Sequence, residues 1–346
     1  MRINTSNPNH LTTAGFHLFL DHFHRWRSIA CKTSYEPPSI PEGSVAPYLE
    51  HIDIEFHSNE LLQEAAYCEA LVAAAPNLRS YVHYGLTYCP LSDQIEMPWA
   101  KLHEFRFFNP IYAKQTLFLL DRAKSLVELC FMMLYSANFF VAEPPLFRTT
   151  SMIQSMVIAS AYPREIQELI SHLDTPNLDS LNLLFTVDRF TRGWVGNLRQ
   201  CCSIRIFPFL SSASDSFRLS RLGLLYNLMV DVSEFIDCLR ISSPSLTDLS
   251  IRIDKVISPL VGLMTNNVLK FLTCNGSAQS EPLCPFLKNL TLNRSVGADD
   301  GVFSDMVQSR LSSQTLVNKA LLRCRRSVDY AKALRCGFYR SYPPCG

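Results

Sequence analysis

The sequence predicts an α/β solenoid: a parallel sheet on the concave side gaining one strand per unit, helices on the convex side, and helical caps. Three observations predict it. An eight-residue unit, clearest at Pro244–Ile251 as Pro-Ser-Leu-Thr-Asp-Leu-Ser-Ile, recurs along the chain. Its copies are nearly periodic. Between copies the apolar spacing changes from two to near 3.6, the change from strand to helix.

Within the unit, Leu246, Leu249 and Ile251 stand at i, i+3 and i+5. The last two share one face of a strand, because strand side chains alternate, and the first enters the core from the preceding bend. A proline two residues ahead of the first leucine suits a strand entrance, having no N–H to donate. Copies lie at Pro47–Ile54, Pro76–His83, Ala100–Phe107, Lys124–Phe131, Pro176–Leu183 and Pro285–Leu292, with weaker ones at Ile153–Ile158, Leu219–Leu224 and Leu269–Cys274. One such strand cannot bury its apolar face alone, whereas stacked copies can.

From Leu49 to Leu287 the first apolar positions are separated by 29, 24, 24, 27, 25, 41, 27, 23 and 18 residues. Most intervals match the roughly 20–29 residue period of leucine-rich repeats, which makes the fold leucine-rich-repeat-like with about nine to eleven units. The interval of 41 leaves room for a degenerate copy near Leu198, and the interval of 18 is short for a full unit at Leu269.

Residues 14–31 place Phe16, Phe19, Leu20, Phe23 and Trp26 near helical spacing and are expected to form a capping helix. The same segment carries His17, Asp21 and His24, whose simplest reading is a solvated helix face rather than a metal site. Helices are predicted over 61–75, which stops at Pro76, over 164–173 with Ile166, Leu169, Ile170 and Leu173 in one stripe, and around Val232, Phe235, Ile236 and Leu239. Residues 135–150 and 188–218 break the pattern and read as loops or an irregular unit; Phe139, Phe140 and Trp194 there are core or partner contacts. A closing helix is expected near 301–311, with acidic residues at its positive end. The organisation expected is 1–46 as N-terminal segment and cap, 47–296 as repeat region, and 297–346 as a helical, basic tail.

A net charge of +1 and 47% apolar residues describe an ordinary folded chain with no overall nucleic-acid signature. The tail from Val317 to Arg340 is locally basic, without the interleaved aromatics that stack bases. Twelve cysteines with no Cys-x-x-Cys pair fit reduced, buried thiols. The N-terminus lacks the apolar core of a signal peptide, and the most apolar stretch, Leu126–Ala142, is interrupted by Glu128 and Asn138. These features predict an intracellular protein, cytoplasmic or nuclear, with no membrane partner.

The phosphate-loop, dinucleotide, zinc-protease and nucleophile-elbow motifs do not occur; His103-Glu104 starts a zinc-protease pattern, but Phe107 stands where its second histidine belongs. No catalytic residue, cofactor or metal ligand is predicted, and the chain is expected not to be an enzyme. The expected binding surface is the open concave side, where strand alternation puts Glu104, Arg106 and Phe108, then Glu128, Cys130 and Met132, then Asp248, Ser250 and Arg252. That mixture of charge with aromatic and thioether side chains suits a protein partner.

Several of these segments carry a resemblance: His24-Arg25-Trp26-Arg27, Ala75-Pro76-Asn77-Leu78-Arg79, Met97-Pro98-Trp99-Ala100-Lys101-Leu102, the Pro176 and Pro244 units, and Asp305-Met306-Val307-Gln308-Ser309-Arg310. In their order, over roughly residues 16–310, the chain resembles the F-box/leucine-rich-repeat-like proteins expanded in mushroom-forming fungi. The resemblance implies a substrate receptor of a Skp-cullin-F-box ubiquitin ligase whose repeats hold the target. Family members carry an N-terminal F-box that usually opens with a Leu-Pro-x-Glu-type motif, and none precedes the predicted first helix. Docking of a Skp-family adaptor is therefore expected only with an F-box upstream. The alternatives are an interaction scaffold with no ligase link and, less favoured, an enzyme with an unrecognised site.

Overall fold

A computed structural model describes residues 20–33, 39–56, 61–84, 97–135, 148–160, 163–185, 206–212, 218–225, 231–252, 263–274, 282–293 and 300–312. Twelve strands are described: β1 (Ser28–Thr33), β2 (His51–Phe56), β3 (Ser80–Tyr84), β4 (Glu104–Tyr112), β5 (Glu128–Tyr135), β6 (Thr149–Thr150), β7 (Ser155–Ser160), β8 (Leu173–Asp174), β9 (Ser180–Phe185), β10 (Arg221–Leu225), β11 (Asp248–Arg252) and β12 (Asn289–Asn293). The described helices are α1 (Leu61–Ala73), α2 (Ala113–Arg122), α3 (Pro163–Ser171), α4 (Phe207–Ser212), α5 (Val232–Ser242), α6 (Asn266–Leu272) and α7 (Asp300–Ser312). Ten strands form one sheet in the order β1-β2-β3-β4-β5-β7-β9-β10-β11-β12, with β6 and β8 pairing apart from it. Every pairing is parallel. Parallel neighbours need a crossover, and α1 to α6 each lie in one.

The i, i+3, i+5 spacing becomes three buried layers. The first runs Trp26, Leu49, Leu78, Leu102, Leu126, Ile153, Leu178, Leu219, Leu246 and Leu287, each no more than 1% exposed. The third includes one polar member, His83 of β3, which packs edge-on against Phe107 and lies 3.3 Å from the Tyr81 hydroxyl. Bulk concentrates at β3–β5, where Phe105 stacks on Tyr81 and meets Phe131 edge-on.

Two backbone devices recur with these layers. The amide of the first core residue closes a turn on the carbonyl three residues back, as in Leu49 to Ala46, Leu78 to Ala75, Leu126 to Ala123, Leu178 to Thr175 and Leu287 to Cys284. Pro47, Pro76, Pro176 and Pro285 hold the second position of such turns, where a fixed φ suits proline, so the proline serves the bend rather than the strand's first residue. The carbonyl of the next residue then accepts two consecutive amides from the following copy. Glu50 O, for example, takes Arg79 N at 2.8 Å and Ser80 N at 3.0 Å, and Thr247 O takes Lys288 N at 2.8 Å and Asn289 N at 2.9 Å.

Four sequence expectations are corrected. The described part of the expected capping helix is a 3-10 turn at Phe23–Arg25 followed by β1, because Trp26, Ile29 and Cys31 obey the strand spacing and are buried like every later copy. The sheet therefore begins before residue 47. Leu269–Cys274 is not a strand copy: Val268, Leu269 and Leu272 face the core from α6, whose cap residue Thr265 accepts the Val268 amide at 3.4 Å. The expected copy between β9 and β10 is not inserted in the sheet, where the two are direct neighbours with Ser180 opposite Arg221. Leu198 itself, like Trp194, Phe139, Phe140, His17 and the basic tail, lies outside the described residues. Finally, the two irregular stretches contribute β6, which pairs with β8 beside α3, and α4.

At the C-terminal end α7 forms where a helix was expected, and it carries a buried cation. Arg310 is 1% exposed and donates to three carbonyls, Leu272 at 2.6 Å, Leu283 at 2.6 Å and Cys284 at 3.0 Å. Ser309 accepts the Cys274 amide at 3.1 Å, so one turn of α7 fastens the segment from α6 to the last strand. Burial lowers the guanidinium's proton affinity, and these acceptors hold the charged form in place.

Leu249→Ala is expected to cost about 2–5 kcal/mol by leaving a cavity. A urea midpoint near that of the parent would refute its core assignment. Arg310→Met is expected to cost about 3–5 kcal/mol, because it strips three buried carbonyls of their donor at once. Arg310→Lys, which keeps the charge but not the fork, should recover only part of that loss in the same measurement.

Candidate functional site

Side chains between the buried layers point to the opposite face of the sheet, called here the open face. β4 and β5 lie side by side with Glu104 opposite Glu128 and Arg106 opposite Cys130. Register thus places one cation between two carboxylates: Arg106 Nε is 2.6 Å from Glu104 Oε1, and Nη2 is 3.0 Å from Glu128 Oε2. The Ser80 hydroxyl of β3 donates to the other Glu104 oxygen at 2.6 Å. Partial burial opposes the Arg106 charge, but the bond to Glu128 and the field of Glu104 outweigh it and raise its proton affinity.

Phe108 stacks on Tyr84 with ring centroids 3.9 Å apart and planes 13° from parallel. Both rings are half-buried. Burial, with the charge of Asp53 next, pushes the Tyr84 hydroxyl up to about 12, against the opposing effect of Arg106. Phe108 and Val157 flank a small apolar cluster of Cys130, Ala159 and Leu184. Cys130 was expected among the exposed residues of this face; it is buried, because Ala159 and Leu184 close around it. Burial pushes its thiol up to about 12, so at neutral pH it is a protonated, weak nucleophile.

The predicted site residues do not form one patch. Glu104, Arg106, Phe108 and Glu128 are together on β4–β5, while Asp248 and Ser250 are on β11, four strand steps away in the sheet. At the usual strand spacing that is about 19 Å. Asp248 is half-buried and accepts from Thr247 Oγ1 at 2.7 Å and Asn289 Nδ2 at 2.6 Å, which fixes its carboxylate locally. Ser250 is half-buried beside Gly223 of β10. The side chains of Met132 and Arg252 lie outside the described part; their backbones belong to β5 and β11.

Sequence reasoning missed two features of this face. Tyr84 supplies the ring that stacks on Phe108, detectable by extending the Pro76 unit one residue past His83. Asn182 of β9 lies flat across Gly223, where an added Cβ would stand 2.0 Å from Asn182 Oδ1. Only the pairing of Asn182 with Gly223 reveals that relation.

Among the described residues, no group of three His, Cys, Asp or Glu is placed to hold a metal, and no helix is long and apolar enough to cross a membrane. Among the described residues, Cys130, Cys238 and Cys284 are free thiols. No family model matches the chain, and no curated protein or solved structure is significantly similar to it.

The buried thiols make a pH prediction. Cys130 and Cys284 are both held protonated up to about 12, whereas an unfolded cysteine ionises near 8.5. Their contribution to stability is full below about 8.5 and is lost as pH rises toward about 12, because only the unfolded chain gains by releasing the proton. Urea midpoints should hold steady from neutral pH to that threshold and then fall, with a shallower fall in Cys130→Ala.

Proposed function

We propose that the chain is a leucine-rich-repeat-like solenoid that binds a protein on the concave side of its sheet, as the substrate-receptor part of a Skp-cullin-F-box ubiquitin ligase does. The observation that carries the binding reading is the contrast between the two sheet faces. One is closed by ten successive buried triplets, apolar except for His83. The other presents the Glu104–Arg106–Glu128 cluster beside the Tyr84–Phe108 stack and Val157. Arginine and aromatic side chains on a rigid sheet are the residue types from which binding hot spots are built.

The binding reading is supported by a surface repeated from strand to strand, and the Cys130 thiol beside it is buried and held protonated at neutral pH. The ligase link rests on the resemblance alone, and it requires an F-box joined ahead of residues 1–346. Without that module the same surface serves as an interaction scaffold.

A photo-crosslinking amino acid at position 157, on the open face, is expected to give a protein adduct, whereas the same group at position 118, on the exposed side of α2, gives none. Equal labelling from both positions would remove the open face as the binding surface. With an F-box and Skp adaptor supplied, ubiquitin transfer to the adducted protein supports the receptor reading; adduct without transfer reduces it to a scaffold.

A further inference from the structure

The two edges of the ten-stranded sheet match each other. At every junction from Arg27 to Thr247 a bend carbonyl takes the two amides that open the next strand. Lys288 is the next residue in that series, but β12 is the last strand of the sheet, and among the described residues no amide is bonded to its carbonyl. At the other edge the amides of Arg27 and Ser28 stand where those of Glu50 and His51 stand in the following copy, and among the described residues no carbonyl accepts them. One edge offers an acceptor and the other offers its two donors.

The strands continue the match. Thr247 O is bonded to Asn289 N, so alternation along the parallel pair turns Asn289 and Thr291 toward β11 and leaves the backbone groups of Leu290 and Leu292 on the outer side. Arg27 O is bonded to His51 N, so Ile29 is turned toward β2 while Ser28 and Ala30 are turned outward. Outward backbone groups on an edge strand are a template for another strand. Leu290 and Leu292 keep 6% and 5% exposure where Leu249 and Ile251 keep 1%, so the core too is less closed at β12 than one strand earlier. Helix α7 packs on α6 and is not a member of the sheet, which ends at β12.

We propose that β12 of one chain receives β1 of a second copy, parallel and in the register of the internal junctions, so that the solenoids join head to tail. Lys288 O takes the Arg27 and Ser28 amides of the incoming copy, Ile29 stands opposite Leu290, and Ala30 stands opposite Thr291. The occupant is a second copy because β1 brings what β12 asks for: a bend, two consecutive amides and apolar residues at the i, i+3, i+5 spacing of Trp26, Ile29 and Cys31. Since the two copies use different surfaces, the contact repeats into rings or filaments rather than stopping at a two-fold dimer. It contains one opposition. The junction sets Lys288 beside Arg27, as Arg27 stands beside Glu50 within the chain at 3.3 Å. Like charges there weaken the contact, and salt screens them.

The test is sedimentation of the full chain over rising concentration. Average mass is expected to grow past that of a dimer, and to grow further as salt rises. Ala30→Pro removes only an outward amide, a change that edge strands tolerate, and should return the chain to a monomer at an unchanged urea midpoint. Mixed with the parent chain, that variant should shorten the assemblies, because its β12 still receives a β1 while its own β1 no longer inserts. Lys288→Glu, which turns the like-charge contact into an ion pair, should bring on growth at roughly twofold to fivefold lower concentration and reverse the salt dependence.

A monomer at every concentration up to about 1 mM, a mass that stops at the dimer, or growth undiminished in Ala30→Pro would each overturn the proposal. Within such a monomer, slow exchange of the Leu290 amide would give the edge to another segment of the same chain, and fast exchange would leave it to water.

Discussion

The structure depends on a carbonyl that accepts two amides. At the bend before each strand, the residue after the first core side chain offers its C=O to two consecutive N–H groups of the next copy, from Arg27 at β1 through Thr247 at β11. A bend leaves backbone donors without a ladder partner, and buried donors must find one. Here one acceptor satisfies both and sets where the next strand starts. Because strand side chains alternate, a slip of one residue would turn every core residue outward, so this junction protects the separation of the two faces.

The chemistry of the sheet follows from that separation. Glu104 and Glu128 are neighbours because their strands start level, and Arg106 lies within reach of both because it stands two residues further along the same face. The Tyr84–Phe108 stack arises in the same way, one pleat beyond. Where the register brings a large polar side chain beside its neighbour, the neighbour is small: Asn182 lies over Gly223. Insertions between strands are accommodated without disturbing this order. The longest intervals, from Leu178 to Leu219 and from Leu246 to Leu287, each span 41 residues, yet both pairs of strands are direct neighbours in full register.

The ends are handled differently from the middle. The N-terminal strand enters through an aromatic turn, with Phe23 and Trp26 edge-to-face at 5.0 Å. The C-terminal end is fastened by a buried guanidinium on three carbonyls of the preceding segment, including that of Cys284, whose φ of 54° lies in the left-handed region. A planar guanidinium spreads its donors over three nitrogens in a fixed fork, whereas a lysine's donors radiate from one nitrogen. Arg310 therefore joins α7 to the core through backbone groups that no side-chain pattern displays.

The sequence by itself determined nine of the ten strands of the large sheet, β1 excepted, with their order and the division between core and open faces. Those follow from local spacing: apolar residues at i, i+3 and i+5 admit one face, and proline marks the bend, so Pro244–Ile251 announces its own geometry. It also placed α1, α3, α5 and α7, whose apolar periodicity is carried within each segment. Tertiary structure alone decided what depends on register between distant copies. Trp26, Ile29 and Cys31 read as part of a helix until β1 pairs with β2; Leu269 imitates a strand copy until its neighbours turn it into α6. Cys130 becomes core only when Ala159 and Leu184 arrive beside it, and Arg106 becomes the centre of a cluster only when β5 supplies Glu128. Periodicity fixes the face on which a residue stands; its neighbours there come from strands tens of residues away, and the hydrogen-bonded register chooses them.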